Sequence, residues 1–188
     1  MIRALILLVA AFAPVGLSAA CLDGSNGRLP TEVTFQSGES VRVIELSSDR
    51  IRYLNVDSAG QPAGELTAHL GIFSLVFERQ GMVNRFDWTT ELPDLSELTP
   101  GASFHEEAML SYKEKAASFI TEAKVLRSET IEVDGCKFDV LRVDVSSWID
   151  GKVYGRVEKW LHLPSLITLK AIVRQGDVTT ENLAVKLE

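Results

Sequence analysis

A chain of 188 residues that is 46% hydrophobic holds enough apolar material for one domain with its own core. Its 26 acidic residues outnumber 19 basic ones, leaving a formal charge of −7. That balance excludes the basic face that nucleic acid requires and the Lys/Arg clusters that hold anionic lipid surfaces.

Residues 1–20 carry one cation, Arg3, an apolar run from Ala4 to Leu17, and the small residues Ser18, Ala19 and Ala20. This is the anatomy of a bacterial secretory signal, with cleavage expected between Ala20 and Cys21. The run falls short of the ~20 apolar residues a membrane span needs, and Pro14 would disturb a spanning helix. The mature protein is therefore expected to be residues 21–188, periplasmic or secreted, with no transmembrane segment.

Two cysteines remain, Cys21 and Cys136. An oxidising compartment favours a Cys21–Cys136 disulfide. A second reading is a membrane-anchored lipoprotein acylated at Cys21. Lipoprotein signals resemble Leu-(Ala/Ser)-(Gly/Ala)-Cys, whereas here Leu17 stands four residues before the cysteine and Ser18 three. The third reading is two unrelated thiols.

From residue 21 onward the chain reads as short strands punctuated by turns, an all-β, mainly antiparallel domain. Val41–Leu46 and Ile51–Val56 flank Ser47-Ser48-Asp49 as a hairpin. Ile72–Trp88 folds about Gln80-Gly81, so that Arg79 faces Met82 and Phe73, Leu75, Phe77, Phe86 and Trp88 share one apolar face. Residues 89–103, with Pro93, Pro100 and Gly101, form a loop. The stretch 104–124 is ambiguous: its composition suits one helix, while Phe119-Ile120-Thr121 and Val125-Leu126 suit two strands joined near Ser111–Lys115. The strand reading is preferred, since tertiary context overrides propensity.

Asp134-Gly135 and Asp150-Gly151 are favoured two-residue hairpin turns. Around the first, Val133 faces Cys136, Ile131 faces Phe138 and Glu129 faces Val140. Around the second, strict pairing would set Val145 against Arg156, so either a bulge shifts the register or both faces are half buried. Ile167, Leu169, Ala171 and Val173 share a face, and the last strand is expected to turn Leu183, Val185 and Leu187 inward. The architecture that follows is a twisted meander sheet or half-barrel.

The run from Leu126 through Asp134-Gly135-Cys136-Lys137-Phe138, followed by Trp160-Leu161-His162-Leu163-Pro164-Ser165-Leu166, resembles a recurrent theme of uncharacterised bacterial envelope proteins. There, a strand ending in Gly-x-Phe leads to one closing on aromatic-x-x-Pro-x-Leu. The resemblance covers about residues 120–175. It implies a twisted antiparallel sheet like the half-barrels of periplasmic lipoprotein carriers, and it transfers no catalytic residue.

The search for chemistry is mostly negative. His69, His105 and His162 stand in no HxH, HxxxH or CxxC spacing, and His105-Glu106-Glu107 would diverge on a strand. There is no G-x-S-x-G and no phosphate-cradling glycine loop. Neither catalytic residues nor a cofactor or metal are assigned. The alternating stripe Tyr154, Arg156, Glu158, Trp160 and His162 is the one polar-aromatic face, a candidate ligand or partner surface through Tyr154, Arg156, Trp160 and His162. The reading is an exported, non-enzymatic envelope protein whose sheet binds an apolar ligand or a partner protein. The alternative is a hydrolase or transferase with an unrecognised polar site. An apolar, unfilled concavity would favour the first, and a polar cleft gathering His69 or His105 with acids the second.

Overall fold

The computed structural model describes residues 21–188; the secretory signal read over 1–20 lies outside the described residues. Twelve strands follow one another: β1 (Glu32–Phe35), β2 (Ser40–Leu46), β3 (Arg50–Val56), β4 (Pro62–His69), β5 (Phe73–Arg79) and β6 (Met82–Trp88) make up the first half. The second half holds β7 (Ser103–Tyr112), β8 (Lys115–Val133), β9 (Cys136–Ile149), β10 (Lys152–His162), β11 (Ile167–Gln175) and β12 (Val178–Leu187). Each pairs antiparallel with the next, and β12 returns to pair with β1. The result is a closed up-and-down barrel, so the open edges of a half-barrel do not exist here. At the seam Val33 sits opposite Leu187, and the amides of Thr31 and Glu32 donate to the Glu188 carbonyl.

The stretch 104–124 is β7, a turn at Lys113-Glu114, and the first half of β8. Both turn residues have positive φ, which reverses the chain in two residues. Ala117, Phe119, Thr121, Ala123 and Val125 are buried while Ser118, Glu122 and Lys124 are exposed, a period of two. A helix here would remove the wall between β6 and β9, and barrel closure overrides local propensity.

The expected hairpin registers around Gln80-Gly81 and Asp134-Gly135 form, with Arg79 opposite Met82 and Ile131 opposite Phe138. Of the two alternatives near Asp150-Gly151 the bulge forms: it lies between Val153 and Gly155 and sets Val145 against Val157. The last strand departs from expectation. An irregularity opposite Thr34/Phe35 leaves Val185 47% exposed and turns Asn182 and Ala184 inward, with Leu187 packed on the core. An amphipathic pattern interrupted by a bulge switches faces, so Leu183 and Val185 lose the inner positions.

One half of the interior is filled. Phe73 is fully buried and meets Trp88 edge-on at 5.6 Å, and Phe86 meets Phe119 at 4.8 Å. Residues 89–102 connect adjacent strands, so they form no crossover. They enclose a short 3-10 turn at Leu95–Glu97 and bury Leu98 in the main core.

The hairpin of β8 and β9 outruns its neighbours. Pairing of β7 with β8 stops at Lys124 and that of β10 with β9 stops at Leu141. Past the bulge between Val125 and Arg127 the hairpin pairs only with itself. It bends over the barrel end to reach β12, where Val133 and Phe138 join the same core as Val33. That end is covered.

Because Phe73 is fully buried among β4, β5 and β6 residues, Phe73→Ala should cost about 3–5 kcal/mol, measured by urea unfolding. A loss below roughly 1 kcal/mol would place this side chain outside the core.

Candidate functional site

The other half of the interior is hollow. A cavity of about 590 Å³ lies inside the wall made by β1–β5 and β10–β12. Phe35, Val41, Tyr53, Phe77 and Ile167 line it with apolar surface, and Lys159 and Asn182 add polar groups.

Register explains the placement of those two. Val125, Val143, Lys159, Ala171 and Asn182 sit opposite one another in a row across β8, β9, β10, β11 and β12. Val125 and Val143 are fully buried, so the row faces the barrel interior. Lys159 and Asn182 are two strands apart, roughly 10 Å at the backbone. The small Ala171 between them leaves space.

The floor is formed where the β4–β5 turn meets the β10–β11 turn. Gly71, with φ +66°, lies so close to the Leu166 carbonyl that a Cβ there would collide with it, and Leu161 approaches the same point at 2.9 Å. Only glycine satisfies both the dihedral and the contact. Lys159 Nζ donates to the Gly71 carbonyl at 3.1 Å, so its ammonium lies beside the floor. The opposite end, lined by Glu39, Asp57, Pro62 and Gln80 from three hairpin tips, is the mouth.

Burial pushes the Lys159 ammonium down to about 8 and the Tyr53 phenol up to about 12. Both shifts have the same cause, loss of water around a charged form. At neutral pH Lys159 is still largely protonated and Tyr53 neutral. Among the described residues no carboxylate forms an ion pair with Lys159. The Asn182 Oδ1 atom is buried without a hydrogen-bond partner.

The sequence-derived face is split by the fold. Tyr154 is 64% exposed near the β9–β10 tip, and Arg156 pairs on the outer surface with Asp144 at 3.1 Å. Glu158 is buried between Arg142 and Arg174. Trp160 is sandwiched by the Arg142 guanidinium at 5.0 Å and the Lys170 ammonium at 4.9 Å, and its indole donates to Glu129. Past the irregularity at Trp160/Leu161, His162 is only 1% exposed. The stripe is therefore a ladder of cross-strand pairs leading from an exposed tip into the core.

The three histidines are separate. His69 is buried against the Pro93 carbonyl at 2.8 Å, tying residues 89–102 to β4. His105 points outward between Glu107 and Glu122 while Glu106 points inward, so that triplet diverges as strand geometry dictates. His162 Nδ1 accepts from Ser165 Oγ at 2.7 Å, and Nε2 donates to the Asp23 carbonyl at 3.2 Å. This pair superficially resembles a nucleophile and its base. Ser165 is fully buried, however, and the third partner is a carbonyl, which cannot stabilise an imidazolium as a carboxylate does. It is a latch that holds the N-terminal segment. Beside it, Cys21 and Cys136 form a disulfide with Cα atoms 5.6 Å apart.

Sequence reasoning missed Lys159 and Asn182. The available signal was a single polar residue on an otherwise apolar alternating face, Lys159 between Val157 and Leu161; Asn182, between Thr180 and Ala184, gives no such signal.

No family model and no curated protein matches the chain. Among solved structures it is similar to the crystal structure of the hypothetical lipoprotein YmcC from Escherichia coli. The TM-score is 0.50 at 13% identity, over 85% of this chain and 89% of that one. An exported protein from Bacteroides fragilis, described as having a YmcC-like fold, is similar with a TM-score of 0.47 at 12% identity, covering 84% and 93%. At such identities the first likeness is one of fold. That likeness of fold covers most of the chain.

Two outcomes follow for the latch. Burial pushes the His162 imidazole down, against the opposing pull of the Asp23 carbonyl. Its contribution to stability is complete above the unfolded value, ~6.5, and is lost as pH falls through the lower folded value, because the unfolded chain then binds the proton more readily. The urea midpoint should drop between pH 7.5 and 5, and His162→Gln should flatten that drop; an unchanged slope in the variant would remove His162 as its source. The disulfide closes a sequence separation of 115 residues. Replacing both cysteines by alanine should cost about 2–4 kcal/mol in the same assay, and labelling of the unfolded, unreduced protein should find no free thiol.

Proposed function

We propose that this chain, once residues 1–20 are removed, is a secreted or periplasmic binding protein of the bacterial envelope, one β-rich domain over 21–188 with a loop at 89–103. It holds an apolar ligand inside its barrel. The observation that carries this reading is the cavity itself, about 590 Å³ of space with mostly apolar walls inside a closed sheet. Ligand pockets run at about 300–1,000 Å³ and combine apolar lining with polar groups, and here the polar residues Ser40, Asn55, Lys159, Thr168 and Asn182 interrupt the apolar walls.

The outer surface supports a barrel that works in water. It carries cross-strand ion pairs such as Arg42–Glu32, Arg52–Glu65 and Lys170–Glu181, with the apolar side chains inside. A transmembrane barrel has the reverse polarity, an apolar outer band around a polar lumen. Among the described residues no helix is long and apolar enough to cross a membrane. The Cys21 sulfur is consumed by the disulfide, which supports the unanchored form over acylation at the same atom.

The other readings have less support. A partner surface on the sequence-derived stripe would rest on Tyr154 and Arg156 alone, because Trp160 and His162 lie within the fold. For a hydrolase or transferase, none of the three histidines lines the cavity.

The test uses N-phenyl-1-naphthylamine, a neutral dye that brightens on leaving water. The exported protein should bind about one equivalent and release it to dodecanol. Ala171→Phe fills the space beside Lys159 and should abolish the signal while the far-ultraviolet circular dichroism stays that of the barrel. A folded wild-type protein with no dye response would overturn the reading.

A further inference from the structure

We infer that the cavity takes a single-chain amphiphile with an anionic head, a carboxylate or a phosphate monoester, and that Lys159 and Asn182 form its head-group seat. The inference rests on the reading of the cavity as a ligand site.

Its first support is the lysine. Lys159 occupies an inner row whose other members on β8, β9 and β11 are Val125, Val143 and Ala171. A charge placed among such neighbours is costly unless something pairs with it. The Gly71 carbonyl takes one of its three N–H groups, and no described carboxylate reaches it. Two donors remain for a group that the protein itself does not provide. The lowered affinity of this amine for its proton has the same origin, burial without a counter-charge.

The second support is independent of the first. Asn182, on β12 in the same row, has a buried amide oxygen with no partner. Buried polar atoms are nearly always satisfied, and exceptions mark places where a partner is missing. That oxygen is an acceptor shut off from the space, so what Asn182, as a lining residue, can offer an oxyanion is its amide N–H₂. Lys159 and Asn182 straddle Ala171 and can reach one head group together.

Polarity along the cavity sets the direction of entry. Phe35, Val41 and Phe77 supply walls for an alkyl chain between the seat and the mouth. The other ionisable groups facing the space are Glu39, Asp57 and Arg79 towards the mouth and Tyr53 on β3. Two acids against one arginine leave the rim net negative, which disfavours an anion there, whereas the floor has the lysine. The head therefore goes in first and the chain trails towards the mouth.

Displacement of N-phenyl-1-naphthylamine at pH 7 by dodecanoate, dodecyl phosphate and dodecanol measures the head-group preference directly. Both anions should bind about 10–100-fold tighter than the alcohol, the range of one or two charge-assisted hydrogen bonds. Lys159→Met should bring the acid down to the level of the alcohol. A wild-type titration needs no variant: above pH ~8 the preference should shrink by up to about tenfold per pH unit as Lys159 loses its proton, while dodecanol binding stays constant. Comparing the two anions separates a carboxylate seat from a phosphate seat.

Equal affinity for acid and alcohol, or a preference that ignores both pH and Lys159→Met, would overturn the head-group seat and leave the apolar cavity standing. Failure of every dodecyl compound to displace the dye would overturn both. Displacement by acetate or inorganic phosphate alone, at concentrations comparable with the amphiphiles, would make this a small-anion site and overturn the amphiphile class.

Discussion

Everything in this molecule depends on the pairing of β1 with β12. β1 is only four residues long, yet it bonds to β2 on one side and β12 on the other and so closes the sheet. Without that seam the barrel would have two free edges, each a row of unsatisfied backbone groups open to another chain. The inner row that ends at Asn182 would also lose its enclosure, because β12 would no longer be held against β1. Short strands are weak on their own, and the segment leading into β1 is secured separately. The Cys21–Cys136 bond fixes its start to the β8–β9 hairpin, and the Asp23 carbonyl is held by His162. Seam, disulfide and latch therefore act on one stretch of about a dozen residues. The value of the disulfide lies in where it attaches as much as in the loop it closes.

The sheet content was legible in the sequence because turn chemistry is local. Asp134-Gly135 and Asp150-Gly151 have the positive φ values their residue types favour, and those turns fix the registers of long hairpins. Most of the inward face of Ile72–Trp88 was legible for the same reason: Phe73, Phe86 and Trp88 pack on the core and Phe77 lines the cavity, whereas the irregularity opposite Thr67/Ala68 takes Leu75 out of the pattern and brings Ile72 into the core. Closure was not legible. Whether a meander curls enough for its first strand to meet its last depends on twist and bulges summed over twelve strands, and no single residue reports that sum. The bulges also account for the error in β12. One irregularity opposite Thr34/Phe35 reverses which residues face inward, and an apolar Val185 gives no warning of it.

The candidate site was hidden by a related effect. Tyr154, Arg156, Glu158, Trp160 and His162 draw attention because they are chemically rich, but rich side chains on the outside of a sheet pair with their cross-strand neighbours. Arg142, Glu158 and Arg174 do so, and the cations over Trp160 do the same for its ring. The informative residues were the opposite set, where a polar group stands alone on an apolar face. Lys159 and Asn182 are conspicuous only once register places them in one row.

The two halves of the interior also solve their polar problem differently. On the β7–β9 side, Glu106, Thr121 and Ser147 sit opposite one another in a buried row, and the Thr121 and Ser147 hydroxyls are 3.4 Å apart. Aromatic side chains pack the space around them, with Trp88 and Phe119 6.0 Å apart. Thr121 and Ser147 there have each other, and the rings occupy the space beside them. On the β10–β12 side, Lys159 and Asn182 face a void that Ala171 keeps open and that Gly71 floors. A barrel selected only for stability would fill that void, since each missing contact weakens the core. It would also replace an unpaired lysine by an apolar residue, because a buried charge without a partner opposes folding. Both departures occur at the same point and on the same row. A cavity alone can be a packing defect and a half-buried lysine alone can be tolerated by its long stem; the proposed seat rests on the two occurring together, a void with an unpaired cation in its wall.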